Sequence, residues 1–211
     1  MGQVKPPRLV TPLVAMLSGD PAYFEKARPL LENLLGPVEL VSPLYPFNRT
    51  EYYNAEMGPN IQRQFFTFKN LADPGNLVAW KLATNAMELD IAAASGPPLP
   101  REGEGLGVRG QPSVHSAIDE SKIQNQKSKI IPRPVNLDVG YMTGAKLVLA
   151  STKDFAHRLY LRDGIFAEIT MSFRGDSWVS HDFTFPDFRS GIYDDFLKKV
   201  RDWHLRKVKN L

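Results

Sequence analysis

Three short stretches carry the side chains best placed to do chemistry. In Val135 to Tyr141, the apolar residues Val135, Leu137, Val139 and Tyr141 alternate with Asn136, Asp138 and Gly140, which puts Asn136 and Asp138 on one strand face. In the stretch beginning at Ile165, Glu168 and Thr170 stand opposite Ala167, Ile169 and Met171. If these two faces adjoin, Asp138 and Glu168 are paired carboxylates suited to general base work or to Mg²⁺, with His157 beside them as a third catalytic candidate. Lys153 and Arg158 then lie close enough along the chain to hold an anion, and Asn136 to orient it. The competing reading is an exposed sheet face with cross-strand ion pairs.

The third stretch is helical. Lys81, Thr84, Asn85 and Glu88 fall within about 100° of helical arc, flanked by Val78, Leu82, Ala86 and Leu89 on one side and by Leu77, Trp80, Met87 and Ile91 on the other. A polar stripe between two apolar flanks is either a solvated ladder or the lining of a cleft. In the second case Lys81, Asn85 and Glu88 join the ligand-binding set with Asn136, Lys153 and Arg158.

Several chemistries are excluded. The chain has no cysteine, so thiol nucleophiles, disulfides and thiolate metal sites are absent. The string nearest a phosphate-binding P-loop, Gly140 to Leu147, has the wrong spacing, puts Leu147 where a hydroxyl should meet Mg²⁺, and runs into a strand. No histidine opens a His-x-Thr/Ser pair of the phosphoesterase kind, and no metalloprotease, nucleophile-elbow or dinucleotide fingerprint stands between a strand and a helix. His181 and His204 read as packed or surface residues. No metal-ligand motif is assigned, and the sequence leaves the cofactor and metal dependence open.

Net charge is +3, from 26 basic and 23 acidic residues, too near balance to indicate a polyanion partner. The aromatic run Phe47, Tyr52, Tyr53, Phe65, Phe66 and Phe68, with Arg49, Arg63 and Lys69, could stack bases, but the RNA-binding signature is missing and a core of this size needs aromatics. Nucleic acid is therefore disfavoured. The N-terminal apolar run is too short to span a bilayer and has no cleavage site, so a cytoplasmic protein with no membrane partner is expected.

The elements that must position these residues follow from pattern and punctuation. A strand over Leu9 to Leu17 leads to Asp20-Pro21, a cap followed by proline, and a helix in which Phe24, Ala27, Leu31 and Leu34 recur at helical spacing and Arg28 can pair with Glu32. Strands are expected at 38–44 and 61–68, then a helix over about 75–94 behind Asp73-Pro74, and a strand at 135–141. That β-α-β-β-α-β order is of ferredoxin-like type. Strands at 146–152, 157–162 and 165–173 follow, with Asp163-Gly164 as a hairpin turn, and Ser190 can cap a last helix over 192–208. The expectation is one α+β domain over residues 1–211, a two-layer sandwich with an antiparallel second half and a C-terminal helix. Residues 95–131 hold no aromatic side chain and no periodicity, and are expected to be an unstructured insertion.

The strings PFNRTEYYNAEMG, KLATNAMELD, RPVNLDVGYMTGAKLVLASTKDFAHRLYL, DGIFAEITMSF and FTFPDFR resemble, in this order, the bacterial domain of unknown function 4416 family. Some members of that family carry the label GTP-binding protein, but the P-loop and the N-K-x-D base-reading pattern are both missing here. The resemblance brings no catalytic residues with it. It implies that the helix bearing Asn85 and Glu88 runs on to the strand bearing Asn136 and Asp138 with little between them.

The expected function is that of a small enzyme or binding domain for an anionic metabolite or nucleotide. Two other readings stay open: a non-catalytic interaction protein using the aromatic segment 47–68, and nucleic-acid binding. The sequence does not fix the oligomeric state.

Overall fold

All eight residues of the first strand, β1 (Thr11–Ser18), are buried, and a strand buried on both faces must lie between two layers. The computed structural model describes residues 2–48, 53–58, 60–95 and 133–210. After β1 come α1 (Ala22–Leu35), β2 (Val38–Val41), β3 (Tyr45–Pro46), the short α2 (Asn54–Met57), β4 (Gln62–Phe68) and a 3₁₀ turn at Pro74–Asn76. Then follow α3 (Leu77–Ser95), β5 (Asn136–Met142), β6 (Lys146–Ser151), β7 (Leu159–Arg162), β8 (Ile165–Arg174), β9 (Ser177–Ser180), α4 (Pro186–Arg189) and α5 (Asp194–Lys209). The expected insertion at 95–131 lies outside the described residues except for Ser95, which ends α3 by donating to the Ile91 carbonyl.

The nine strands of the described residues form one antiparallel sheet in the order β2-β4-β1-β5-β6-β8-β7, with β3 on β4 and β9 on β8. The molecule is thus of mixed helix and strand content, with one antiparallel sheet and helices. The two-layer expectation needs correcting, because helices cover both faces. Val14 and Met16 of β1, with Phe66, Phe68, Leu137 and Val139, pack on α1 and α3. Leu13 and Ala15, with Phe65, Met142 and Leu149, pack on Phe188 and on Phe196, Leu197 and Val200 of α5. Alternation along β1 divides its side chains between the two cores.

Local chemistry explains most element ends. Asp20 Oδ1 accepts from the Ala22 N–H at the start of α1, and Asp73 Oδ1 accepts from the Gly75 N–H before α3. Gly36 closes α1 at φ 90°, a left-handed conformation in which its N–H reaches the Glu32 carbonyl. Asp163 and Gly164, at φ 53° and 73°, make the β7–β8 turn. Two details differ from expectation. Arg28 pairs with Glu25 at 2.8 Å while Glu32 accepts from the Val38 N–H, because the chain turning into β2 offers an unpaired donor. Ser190 accepts from Ile192 ahead of α5, which starts at Asp194 with no side-chain cap.

The aromatic segment turns inward: Phe47, Phe65, Phe66 and Phe68 are all buried, and so is Arg63, while Arg49 and Tyr52 lie outside the described residues. Helix α5 is fastened by a buried contact of 2.9 Å between Thr11 Oγ1 and His204 Nδ1. Burial, then nearby Arg201, push the His204 pKa below its ordinary 6.5. The unfolded chain therefore binds this proton first as pH falls, and stability present above about pH 6.5 is lost on going below it. The melting temperature of the native chain should fall more steeply between pH 7 and pH 5 than that of His204→Gln; equal slopes would refute the assignment.

Candidate functional site

The site arises where the sheet splits. Strands β5 and β6 pair only from Gly140↔Leu149 to Met142↔Leu147, although β5 begins at Asn136 and β6 runs on to Ser151. Beyond Gly140 the two strands part, and a cavity of about 120 Å³ occupies the opening. It is lined by β5 through Asn136 and Asp138, by the end of β6 and its following loop from Leu149 to Lys153, and by Arg158 and Glu168. Lys81 and Asn85 of α3 line it too, as do Arg63, Arg133, Phe47, Tyr53, Phe185 and Phe188.

Register places the polar groups. Arg63 of β4 and Asn136 of β5 both pair with Leu17 of β1, so the three share one row on the α5 face of the sheet. Asp138, opposite Ala15, stands in the next row of the same face. Lys81 comes from the helix on the other side: its Nζ donates to the Leu137 carbonyl at 3.2 Å and lies 3.6 Å from Asp138 Oδ1. Burying Lys81 is tolerable only because both contacts replace its water.

The polar stripe of α3 is therefore directed inward. Lys81, Thr84 and Glu88 are buried and Asn85 half-buried, whereas the flanking Leu82 and Leu89 are exposed. Glu88 does not line the cavity. It sits behind the first residues of β5, with Oε1 accepting from the Leu137 N–H at 2.6 Å and Oε2 from Arg133 Nη1 at 3.3 Å. Burial raises its pKa, opposed by Lys81 and by the Leu137 N–H. Arg133 also donates to Glu56 at 3.0 Å, tying the segment that leads into β5 to α2.

Glu168, Arg158 and His157 form a second cluster. Glu168 Oε2 accepts from Arg158 Nε at 2.9 Å and lies 3.1 Å from His157 Nε2, and Oε1 accepts from Thr170 at 3.0 Å. His157 stacks on Phe183 with centroids 4.9 Å apart and lines not the cavity but a second groove at the far side of β8, with Glu168 lining both. Seven of the nine expected residues, Lys81, Asn85, Asn136, Asp138, Lys153, Arg158 and Glu168, thus line one cavity. Asp138 and Glu168 share a sheet face, but they are not paired carboxylates, since β6 lies between β5 and β8. Two strand spacings separate them, roughly 10 Å. Among the described residues no group of three or more His, Asp or Glu side chains could hold a metal ion.

Arg63 entered the sequence reading only as part of a possible base-stacking surface, and Asp187 and Tyr193 did not enter it at all. Arg63 is 3% exposed and ringed by Phe47, Phe65, Phe188 and Tyr193. Its Nε lies 2.9 Å from Asp187 Oδ2, an ion-pair contact that lacks hydrogen-bond alignment, and among the described residues neither Nε nor Nη1 has a hydrogen-bond acceptor. Tyr193 donates to the same Asp187 oxygen at 2.9 Å, and its own pKa is raised by burial and by that carboxylate. Arg63 could have been found, because a cation in phase with Ile61 and Phe65 on an inward strand face needs a reason. Asp187 and Tyr193 had no comparable signal.

A model of the family described as "Domain of unknown function (DUF4416)" matches residues 8–96 and 114–204. The chain belongs to this family. The break in the DUF4416 match, 97–113, falls within the expected insertion, and the match takes in every residue of the cavity lining. No curated protein matches the chain, and no solved structure does.

Proposed function

We propose that this DUF4416 protein binds a small anionic molecule in the split between β5 and β6. The observation that carries the reading is a pair of buried donors, Arg63 Nη1 and Asn136 Nδ2, that have no hydrogen-bond partner among the described residues although both residues line the same cavity. Buried donors of this kind cost free energy unless a ligand or water accepts from them. Five basic residues line the cavity (Arg63, Lys81, Arg133, Lys153 and Arg158) against two acidic ones (Asp138 and Glu168). At about 120 Å³ there is room for on the order of ten water-sized groups. That suits a phosphate or carboxylate metabolite, or the phosphate end of a nucleotide with its base outside, beside the half-exposed ring of Phe185 at 41% exposure.

If the site also catalyses, Asp138 is its base. Its side chain is 30% exposed and lies 3.6 Å from Lys81 Nζ, whereas Glu168 is occupied by Arg158, His157 and Thr170. In this reading β2-β4-β1-β5, with α1 and α3 on one face, is a ferredoxin-like unit, and the added strands β6 to β9 supply one wall of the site.

The test is a thermal-shift screen of phosphate, small carboxylates, sugar phosphates and mononucleotides. A ligand at a hundred times its Kd adds about 2.7 kcal/mol, a rise of about 5–10 °C for a domain of this size. The rise should vanish in Asn136→Ala and shrink in Lys153→Ala, each measured against its own unliganded melting point. A screen in which no anion raises the melting temperature, or in which these variants respond as the native chain does, would overturn the proposal.

A further inference from the structure

We infer that the groove on the far side of β8, which shares the Glu168 side chain with the first cavity, is a second binding site, for a free amphiphile with a single elongated apolar body and an anionic head. The inference does not rest on the function proposed for the first cavity.

The groove follows from the pairing of β8. On that side β7 covers residues 165–167 and β9 covers 171–174, so the edge between them has no strand partner. The chain after β9 fills only part of the notch, with Thr184 Oγ1 donating to the Thr170 carbonyl at 2.8 Å and His181 Nε2 lying 3.0 Å from Ser172 Oγ. What remains is a groove of about 680 Å³, within the usual size of small-molecule sites.

Its floor is the sheet face that α1 and α3 cover elsewhere. Tyr141, Val148 and Ile169 form one row across β5, β6 and β8, and Leu159, Leu161 and Val179 flank it. The face that is buried under the helices at Val14, Leu137 and Val139 reaches 47% exposure at Ile169 and 73% at Leu159. Apolar surface left open in a single strip is a place for an apolar ligand.

Charge selects the ligand. Lys146 pairs in register with Ser172, and Arg174 lies two residues further along the same face. Neither makes an ion pair among the described residues, and both line one end of the groove. The carboxylate of Glu168 is already neutralised by Arg158, which leaves Asp182 as the other acidic residue of the lining. Two cations beside an apolar floor fit a carboxylate, sulfate or phosphate head on a hydrocarbon or aromatic body. The groove is a notch between β7 and β9, so a single molecule can enter it where a bilayer surface cannot.

The test is calorimetric titration of the full chain with dodecanoate below its micelle concentration, with dodecyltrimethylammonium as the same chain bearing a cationic head, and sedimentation in parallel. Dodecanoate should bind one to one, on the order of tenfold more tightly than the cationic chain, and Lys146→Ala with Arg174→Ala should remove that preference. Ile169→Asp should abolish binding while its unliganded melting temperature shows that it still folds. Equal affinity for both head groups, no binding, or a preference that survives loss of both cations would overturn the inference. So would a dimer that Ile169→Asp dissolves, because the face would then be an interface between copies of this chain.

Discussion

Replacing Asp187 with alanine is expected to lower the melting temperature by about 6–20 °C, read by thermal unfolding at neutral pH. The substitution removes the carboxylate 2.9 Å from Arg63 Nε and the acceptor of the Tyr193 hydroxyl, and leaves a guanidinium that is 3% exposed among four aromatic rings. Removing one partner of a buried pair costs about 3–5 kcal/mol because the other charge is left uncompensated, and each kcal/mol shifts the midpoint by about 2–4 °C at this chain length. The double substitution Arg63→Met with Asp187→Leu separates stability from function. Apolar groups of similar volume often match or exceed a buried ion pair in stability. The double variant should therefore regain most of the lost melting temperature and still fail to respond to any anion that stabilises the native chain. If Asp187→Ala alone costs less than about 1 kcal/mol, the Arg63 guanidinium is not as desolvated as its 3% exposure indicates.

The same cluster shows how far the sequence could be read. Elements with strong periodicity and punctuation were legible: the apolar run at 9–17 became β1, the Asp-Pro signals introduced α1 and the turn before α3, and Asp163-Gly164 became the β7–β8 turn. Short elements were not legible, because four residues such as Ser177–Ser180 or Pro186–Arg189 carry too little pattern to stand out from loop. Candidate residues were found wherever one strand or helix sufficed to put them on a face, as for Asn136 with Asp138 and for Lys81 with Asn85. What could not be read was pairing. Alternation says that Asp138 and Glu168 each have a face, but not that β6 separates them. Nor does it say that Arg63 and Asn136 meet across Leu17 in one row. Helical spacing likewise defined the stripe on α3 without deciding its direction, since Leu82 and Leu89 looked as fit for burial as Trp80 and Ile91.

Pairing also decides the second large effect, at Gly140, where β5 and β6 stop diverging. Gly140 pairs with Leu149, the last pair before the split that holds the cavity. Its φ is not in the left-handed region, so alanine is not excluded by backbone conformation. The obstacle is proximity: an added Cβ would collide with the Val148 carbonyl oxygen and come within 2.7 Å of Leu149 Cδ2 and 3.0 Å of Leu149 Cα. Two of these three atoms are backbone and cannot turn aside, so the ladder itself must open. Overpacking of this kind costs about 3 kcal/mol, or about 6–12 °C in melting temperature. Gly144→Ala is the control, because its Cβ would meet only the end of the Leu205 side chain at 2.8 Å, which can rotate away. The two variants should part further when a stabilising anion is present. Gly144→Ala should keep the full ligand-induced rise, while Gly140→Ala, with the strands forced apart, should lose most of it even well below its own midpoint. An unaltered ligand response in Gly140→Ala would mean that the separation of β5 and β6 does not set the shape of the site.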